Sequence, residues 1–164
     1  KRESCLRINQ SMATRFVFVY GTLKRGEPNH RFLQTAKGLS RFIGMGRLMN
    51  KFPLVVASKY NIPFLLNNPG EGYLIKGEVY EIDDVTLKDL DVLEGYPDLY
   101  TRQEEMVEMD NGSSICALLY NLRNYDRKLL DSSSSMMEEY SSLGPHVRPY
   151  VDGENCETYD DLFR

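Results

Sequence analysis

The sequence predicts an α+β fold with a mostly antiparallel or mixed sheet. Three observations carry this. Six or seven runs have the length and pattern of strands, only two stretches have helical periodicity, and strand and helix do not alternate regularly. The last point excludes a doubly wound parallel sheet, which needs a crossover connection between successive strands. At 164 residues the chain is sized for one domain. A domain of that length buries ~70% of its unfolded surface and needs no disulfide or metal staple.

Residues 1–15 are polar and patternless and read as a poorly ordered N-terminal extension. Phe16–Val19 is a short buried strand. Pro28 suits a first helical turn, and Phe32 and Leu33 give a short helix something to bury. Phe42–Met49 reads as a strand broken by Gly44 and Gly46. Leu54–Ala57 and Ile62–Leu66 are two further strands, and Asn67-Asn68-Pro69-Gly70 is a strong turn. Tyr73–Ile82 alternates and ends at Asp83 and Asp84, good N-cap residues. A helix then runs from about Val85 to Glu94, with Gly95 as its C-terminal cap and Pro97 just beyond. Tyr100–Met109 and Ser114–Leu122 form the clearest hairpin. Its turn contains Asn111-Gly112-Ser113, a glycosylation sequon that reads here as turn chemistry. A Ser-rich loop, Asp131–Ser135, and a polar tail over 151–164 follow. The core domain is thus expected over 16–150.

Composition narrows the function classes. The chain is 41% hydrophobic and 27% charged, ordinary for a soluble globular protein. A net charge of −4 argues against nucleic acid as a partner. Residues 1–31 nonetheless carry seven Lys/Arg against two Glu, which leaves room for a locally positive site facing an anionic substrate. Cys5, Cys116 and Cys156 are widely spaced and form no CxxC pair, and there are only two histidines. No disulfide framework, zinc site or other cofactor is therefore expected, and a reducing, cytosolic setting is the natural inference. No apolar run approaches the ~20 residues of a membrane span, and the first residues lack the apolar stretch of a signal peptide. The expected partner is a small molecule, met by a monomer.

Two places point to chemistry. In the first, a strand runs straight into Tyr20-Gly21-Thr22-Leu23. The glycine permits a tight bend that exposes successive N–H groups to an anion or a carbonyl oxygen. Thr22 could instead simply cap local backbone. Gly21 and Gly26 have the spacing of a phosphate loop, but Glu27-Pro28 stands where Lys-Ser/Thr is required, so a nucleoside triphosphate is excluded. The second place is Glu94. Leu87 and Leu90 lie seven and four residues before it, on one helical face. A carboxylate on an apolar stripe, at a helix C-terminus, should have a raised pKa, as a general base or acid near neutral pH requires. The alternative is that Glu94 rims the stripe and reaches water. Tyr100 and Arg102 alternate onto one strand face, where the arginine could bind a carboxylate bidentately or form a surface ion pair. Gly144-Pro145-His146 presents an imidazole that reads better as structural than catalytic.

Four ordered blocks resemble the gamma-glutamyl cyclotransferase superfamily, in its AIG2-like group. They are Phe16–Gly26 with Pro28-Asn29-His30, Asn61–Leu66, Gly77–Tyr80 through Leu93-Glu94 to Tyr100-Thr101-Arg102, and Gly144-Pro145-His146. The resemblance spans about residues 16–150. Relatives acting on glutathione or gamma-glutamyl amino acids typically carry Tyr-Gly-Ser at the first block. Thr22-Leu23 and the second block favour the gamma-glutamylamine branch. The resemblance implies a small closed mixed β-barrel with short flanking helices. It implies that Tyr20, Gly21, Thr22 and Leu23 line the substrate pocket and that Glu94 is the catalytic acid/base, with Tyr100 and Arg102 as further candidates. The implied reaction is attack of the substrate's own α-amine on its gamma-carbonyl, which releases 5-oxoproline and an amine. For this branch the amine is lysine, from gamma-glutamyl-epsilon-lysine, a cross-link remnant. A different gamma-glutamyl donor, or a non-catalytic ligand-binding member of the fold, remain the alternatives. Residues 1–15, the Ser-rich loop and the stretch after Tyr150 depart from the family pattern and are not expected to touch the site.

Overall fold

The computed structural model describes residues 13–146, 148–152 and 158–163. The elements in order are β1 (Thr14–Val19), α1 (Arg31–Gln34), β2 (Ser40–Phe52), β3 (Leu54–Ala57), β4 (Ile62–Leu65) and β5 (Tyr73–Asp83). They continue with α2 (Asp84–Leu93), β6 (Thr101–Met109), β7 (Ser114–Asn121), α3 (Arg127–Ser132) and α4 (Tyr159–Leu162). Five strands close into a barrel in the order β1-β5-β2-β6-β7, and β3 and β4 form a separate two-stranded sheet. Every barrel pairing is antiparallel except the closing one, where β1 runs parallel to β7. The mixed barrel with short helices is thus as expected.

Alternation along the strands sorts the side chains into two cores. Phe18 of β1, Ile75 and Val79 of β5, Leu48 and Phe52 of β2, Val107 of β6 and Leu119 of β7 meet in one cluster. All five barrel strands contribute to it, so it is the barrel interior. Their sequence neighbours face outward: Val17 and Val19, Tyr80 and Ile82, Tyr120 and Leu122 join a second cluster with Leu87 and Leu90 of α2. The β3–β4 hairpin feeds both, through Leu54, Val56 and Leu65 inward and Val55, Phe64 and Leu66 outward. At about 2 kcal/mol for each fully buried aliphatic side chain, Leu87 and Leu90 are what dock α2 on the barrel wall.

Helix α2 starts where the Asp83 carboxylate accepts from Thr86 N at 2.9 Å. It stops at Glu94 because Gly95 takes φ +60, a left-handed cap that a residue without Cβ adopts freely.

Three readings of the sequence shift. β1 begins at Thr14, inside the stretch read as an extension, and Thr14 Oγ1 donates to Glu81 at 2.8 Å. The expectation for residues 1–12 lies outside the described residues. Gly44 and Gly46 do not break β2, which runs unbroken through both for 13 residues. The register slips instead between Phe42 and Gly44, and a Cβ on Gly46 would lie 2.7 Å from the Glu108 carbonyl. The glycines therefore allow close strand packing at a bulge. Finally, a short helix, α3, takes up Asp131 and Ser132, the first two residues of the stretch read as a Ser-rich loop. It is capped by Asp126 accepting from Leu129 N and anchored by the fully buried Leu129. Among the described residues, no helix is long and apolar enough to cross a membrane.

Gly77 of β5 sits at a close crossing with β1. A Cβ there would sit 2.4 Å from the Val19 carbonyl and 2.6 Å from Phe18 Cζ. Backbone cannot yield as a side chain can, so Gly77→Ala should cost about 3 kcal/mol or more. The expected outcome in a urea titration is a lower midpoint at unchanged slope.

Candidate active site

A cavity of about 490 Å³ opens beside the barrel end where β1 leaves the sheet. Its walls come from the Tyr20–Leu23 turn, from the C-terminal end of α2, from β4 and from the end of β7. Tyr20, Leu23, Phe64, Tyr100 and Tyr120 are its buried walls, while Arg31, Phe32, Val92 and Asp152 are exposed at its mouth.

The turn is held rigidly from outside. The Arg25 backbone N–H and guanidinium both donate to the buried Glu78 carboxylate, at 3.1 and 3.3 Å. Lys24 Nζ donates to the Tyr140 carbonyl, and His30 Nδ1 contacts the Leu23 carbonyl at 2.9 Å. Thr22 is read twice by Asn29, whose backbone N–H donates to the Thr22 carbonyl and whose Nδ2 donates to its hydroxyl. All of these bonds use carbonyls, side chains, or N–H groups of residue 24 onward. Among the described residues, the N–H groups of Gly21, Thr22 and Leu23 have no partner. The turn therefore offers a short row of unused donors to the cavity. Gly21 is required for a different reason from the expected bend. Its backbone is not left-handed, but a Cβ there would lie 2.9 Å from Pro63 Cγ of β4.

Glu94 caps α2 and lines the same cavity, with Leu87 and Leu90 buried behind it as the stripe requires. The surrounding walls desolvate its carboxyl and push its pKa up to about 7. Among the described residues, no donor reaches that carboxylate. The reading in which Glu94 merely rims the stripe is thus replaced by a desolvated acid facing a cavity. Two tyrosines face it. Tyr20 donates its hydroxyl to the Tyr120 carbonyl at 2.8 Å, and burial, then the Glu94 charge, hold it well above its ordinary pKa. Tyr120 is raised likewise, by burial and by donating to Asp91 at 2.6 Å. Both stay neutral, so they add no charge beside Glu94.

The cavity therefore brings together Tyr20, Gly21, Thr22, Leu23, Glu94 and Tyr100. Tyr100 stacks on Phe64, with ring centroids 6.1 Å apart. Arg102 is not among the lining residues. Its fork is bidentate to Asp91, at 2.9 and 3.1 Å. The alternation read from Tyr100 to Arg102 fails because β6 begins only at Thr101, and Tyr100 lies in the connection before it. His146 is structural, as expected: its ring stacks on Tyr140, its Nε2 contacts the Ser141 carbonyl and its Nδ1 accepts from Arg148 N.

Domain-model comparison matches residues 17–142 to the family described as "Gamma-glutamyl cyclotransferase, AIG2-like". The chain belongs to this family. A Drosophila melanogaster protein, CG2811, is 54% identical over 120 residues, which is 73% of this chain and 76% of that protein. The gamma-glutamylaminecyclotransferase of Rattus norvegicus is 40% identical over 147 residues, covering 85% of this chain and 97% of the rat protein. The crystal structure of an AIG2-like protein from Mus musculus superposes with a TM-score of 0.81 at 39% identity, covering 87% of this chain and 99% of the mouse one.

Several cavity residues of this family member were not singled out from the sequence. Tyr120 was legible in principle, since alternation along β7 puts it outward with Leu122 toward α2. Asn29 and Pro63 lay inside quoted blocks, but nothing local marked them. Tyr150 closes the expected core domain, while Asp152 and Leu162 come from the 151–164 tail, which was not expected to touch the site and does. Leu162 is buried and Tyr150 Oη accepts from Asn29 Nδ2 at 3.3 Å, so the tail packs back onto the turn.

Glu94 also makes a stability test. Its folded pKa of about 7 lies above the ordinary 4.5, so its favourable contribution is complete below pH 4.5 and is lost as pH rises through 7. Glu94→Gln removes the titration. Measured by calorimetry, the variant's melting temperature should approach or match the parent's at pH 5 and exceed it at pH 8.

Proposed function

We propose that this protein is a gamma-glutamylamine cyclotransferase that converts gamma-glutamyl-epsilon-lysine into 5-oxoproline and free lysine. The observation that carries this is the cavity itself. It joins a row of unpartnered N–H groups at Gly21–Leu23 to a desolvated, unpaired Glu94, in a member of a cyclotransferase family. Relatives named gamma-glutamylaminecyclotransferase align along 85% of the chain. Tyr20-Gly21-Thr22-Leu23 supports the same branch.

The chemistry needs no outside nucleophile. The substrate's α-amine nitrogen attacks the gamma-carbonyl carbon, and a five-membered lactam forms. The bond from that carbon to the lysine side-chain nitrogen then breaks. Glu94 takes the proton that the attacking ammonium must lose and gives it to the departing nitrogen, so the enzyme ends as it began. A base with a pKa of about 7 exchanges protons in both directions near neutrality. The turn amides hold the substrate carboxylate, or the carbonyl oxygen as it gains charge. The remaining contribution is conformational. Folding a flexible gamma-glutamyl group into its attack geometry inside rigid aromatic walls can supply several kcal/mol, up to ~7–11. Every group this scheme uses sits on one chain, which fits a monomer. Three widely spaced cysteines with no CxxC pair fit a reducing, cytoplasmic setting.

The test supplies gamma-glutamyl-epsilon-lysine and follows lysine and 5-oxoproline by mass spectrometry, beside a panel of gamma-glutamyl amino acids and glutathione. Release of both products, with gamma-glutamyl-epsilon-lysine the preferred substrate, is expected. Its kcat should fall on the acid side of about pH 7, where Glu94 is protonated. Glu94→Gln should lose ~10²-fold or more in kcat/KM while remaining folded. A fully active Glu94→Gln enzyme sinks the mechanism, and turnover of glutathione alone reassigns the substrate.

A further inference from the structure

We infer that Arg102 is the positioning residue for Glu94: it clips together the two sides of the turn that carries the carboxylate and keeps the neighbouring Asp91 charge from reaching it. This rests on the proposed role of Glu94 as the proton carrier.

The geometry is specific. Arg102 is on β6, opposite Tyr120 of β7. Its Nε and Nη2 reach both oxygens of Asp91, three residues before Glu94 on α2. The same guanidinium lies over the ring of Tyr96, two residues after Glu94, with Cζ 4.4 Å from the ring centroid. One planar cation thus grips the chain on both sides of the acid. The main chain between those points is bonded across the same span. Glu94 N donates to the Leu90 carbonyl, Tyr96 N to Asp91 O at 2.9 Å, and Tyr100 N to Glu94 O at 3.3 Å. Tyr120 completes the network by donating to the Asp91 oxygen that Arg102 Nε also holds. Arg102 and Asp91 are both about four-fifths buried, so neither charge is left to water.

A lysine cannot reproduce this arrangement, since it has one point charge where two bonds and a stacking plane are used. Asp91 also stands one helical turn from Glu94 as a like charge. Arg102 neutralises it. The other titratable groups lining the Glu94 cavity are Tyr20 and Tyr120, which stay neutral, the phenols of Tyr100 and Tyr150, and Arg31 and Asp152, which are exposed at the mouth. Without Arg102, Asp91 would keep only the neutral Tyr120 hydroxyl, and its uncompensated charge one turn away would raise the pKa of Glu94 further.

The experiment compares the parent with Arg102→Gln, Arg102→Lys and Arg102→Gln/Asp91→Asn. It reads the Glu94 carboxyl directly by ¹³C NMR titration, which needs no substrate, and then the pH profile of kcat. Thermal melts record folding. Arg102→Gln should move the Glu94 titration and the acid limb of kcat to higher pH and lower kcat at least about tenfold. KM should change little, because Arg102 does not line the cavity. Arg102→Lys should fall between, and its milder change keeps the test informative if Arg102→Gln does not fold. The double variant should bring the titration back toward the parent value while kcat stays low, since the stray charge is gone but the clip is not restored. A parental Glu94 titration and parental kcat in folded Arg102→Gln or Arg102→Lys overturn the inference. So does a loss of activity that merely tracks melting temperature with no displacement of the pH limb. If the parent turns over no gamma-glutamyl compound, the cyclotransferase reading falls, while the NMR titration still decides whether Arg102 governs Glu94.

Discussion

The short parallel seam between β1 and β7 is the interaction on which the rest of the structure depends. Only Val17 with Leu118 and Phe18 with Leu119 stand in register across it. Everywhere else the barrel is stitched antiparallel, with long ladders such as those of β5 to β1 and β2. Closure at the seam brings the end of β1 beside the end of β7. That fixes Tyr20 against the Tyr120 carbonyl and opens the Tyr20–Leu23 turn outward, over the face that α2 covers. An open sheet of the same strands would leave the turn and Glu94 on unrelated edges. Six residues of β1 thus decide whether a site exists at all.

The protein treats its sheltered carboxylates in two ways, and the difference marks function. Glu78 is buried but receives Arg25 twice and the Tyr80 hydroxyl. Asp83 caps a helix and is held below its ordinary pKa by backbone N–H groups, and Asp91 is shared by Arg102 and Tyr120. These acids hold parts together. Glu94 is desolvated with no compensating donor among the described residues, which raises its pKa and destabilises its charged form. A fold that supplies donors to three neighbours and withholds them from a fourth keeps that one group available to something that arrives later.

Much of this was legible in the sequence, and what was missed has physical causes. Short apolar runs located β1, β3 and β4, alternation located β5, the Asn111-Gly112 turn located the β6–β7 hairpin, and the Asp83 cap with Gly95 bracketed α2 almost to the residue. Those signals are local. The failures are cases where tertiary contact reverses a local preference. Gly44 and Gly46 look like breakers, yet a crowded strand crossing needs them. Arg102 looks like a carboxylate receptor, which it is, but the carboxylate is Asp91 of its own chain. The tail looks polar and detached, yet Leu162 is buried in the cluster that holds Leu23 and Leu33, contacts across the whole chain that no windowed pattern registers.

The same reasoning refines what Thr22 does. Read alone, its hydroxyl could cap any nearby backbone. In the fold it accepts from Asn29 Nδ2, and that amide also donates to the Tyr150 hydroxyl. A serine could supply the same oxygen but would leave χ1 free to rotate it away. The β-branched methyl restricts that torsion and keeps the oxygen available to Asn29. Threonine therefore tightens a chain of contacts from the turn, through Asn29, to the C-terminal segment. The methyl group of Thr22 thus bears on the cavity wall that faces Glu94, through a side chain that itself takes no charge.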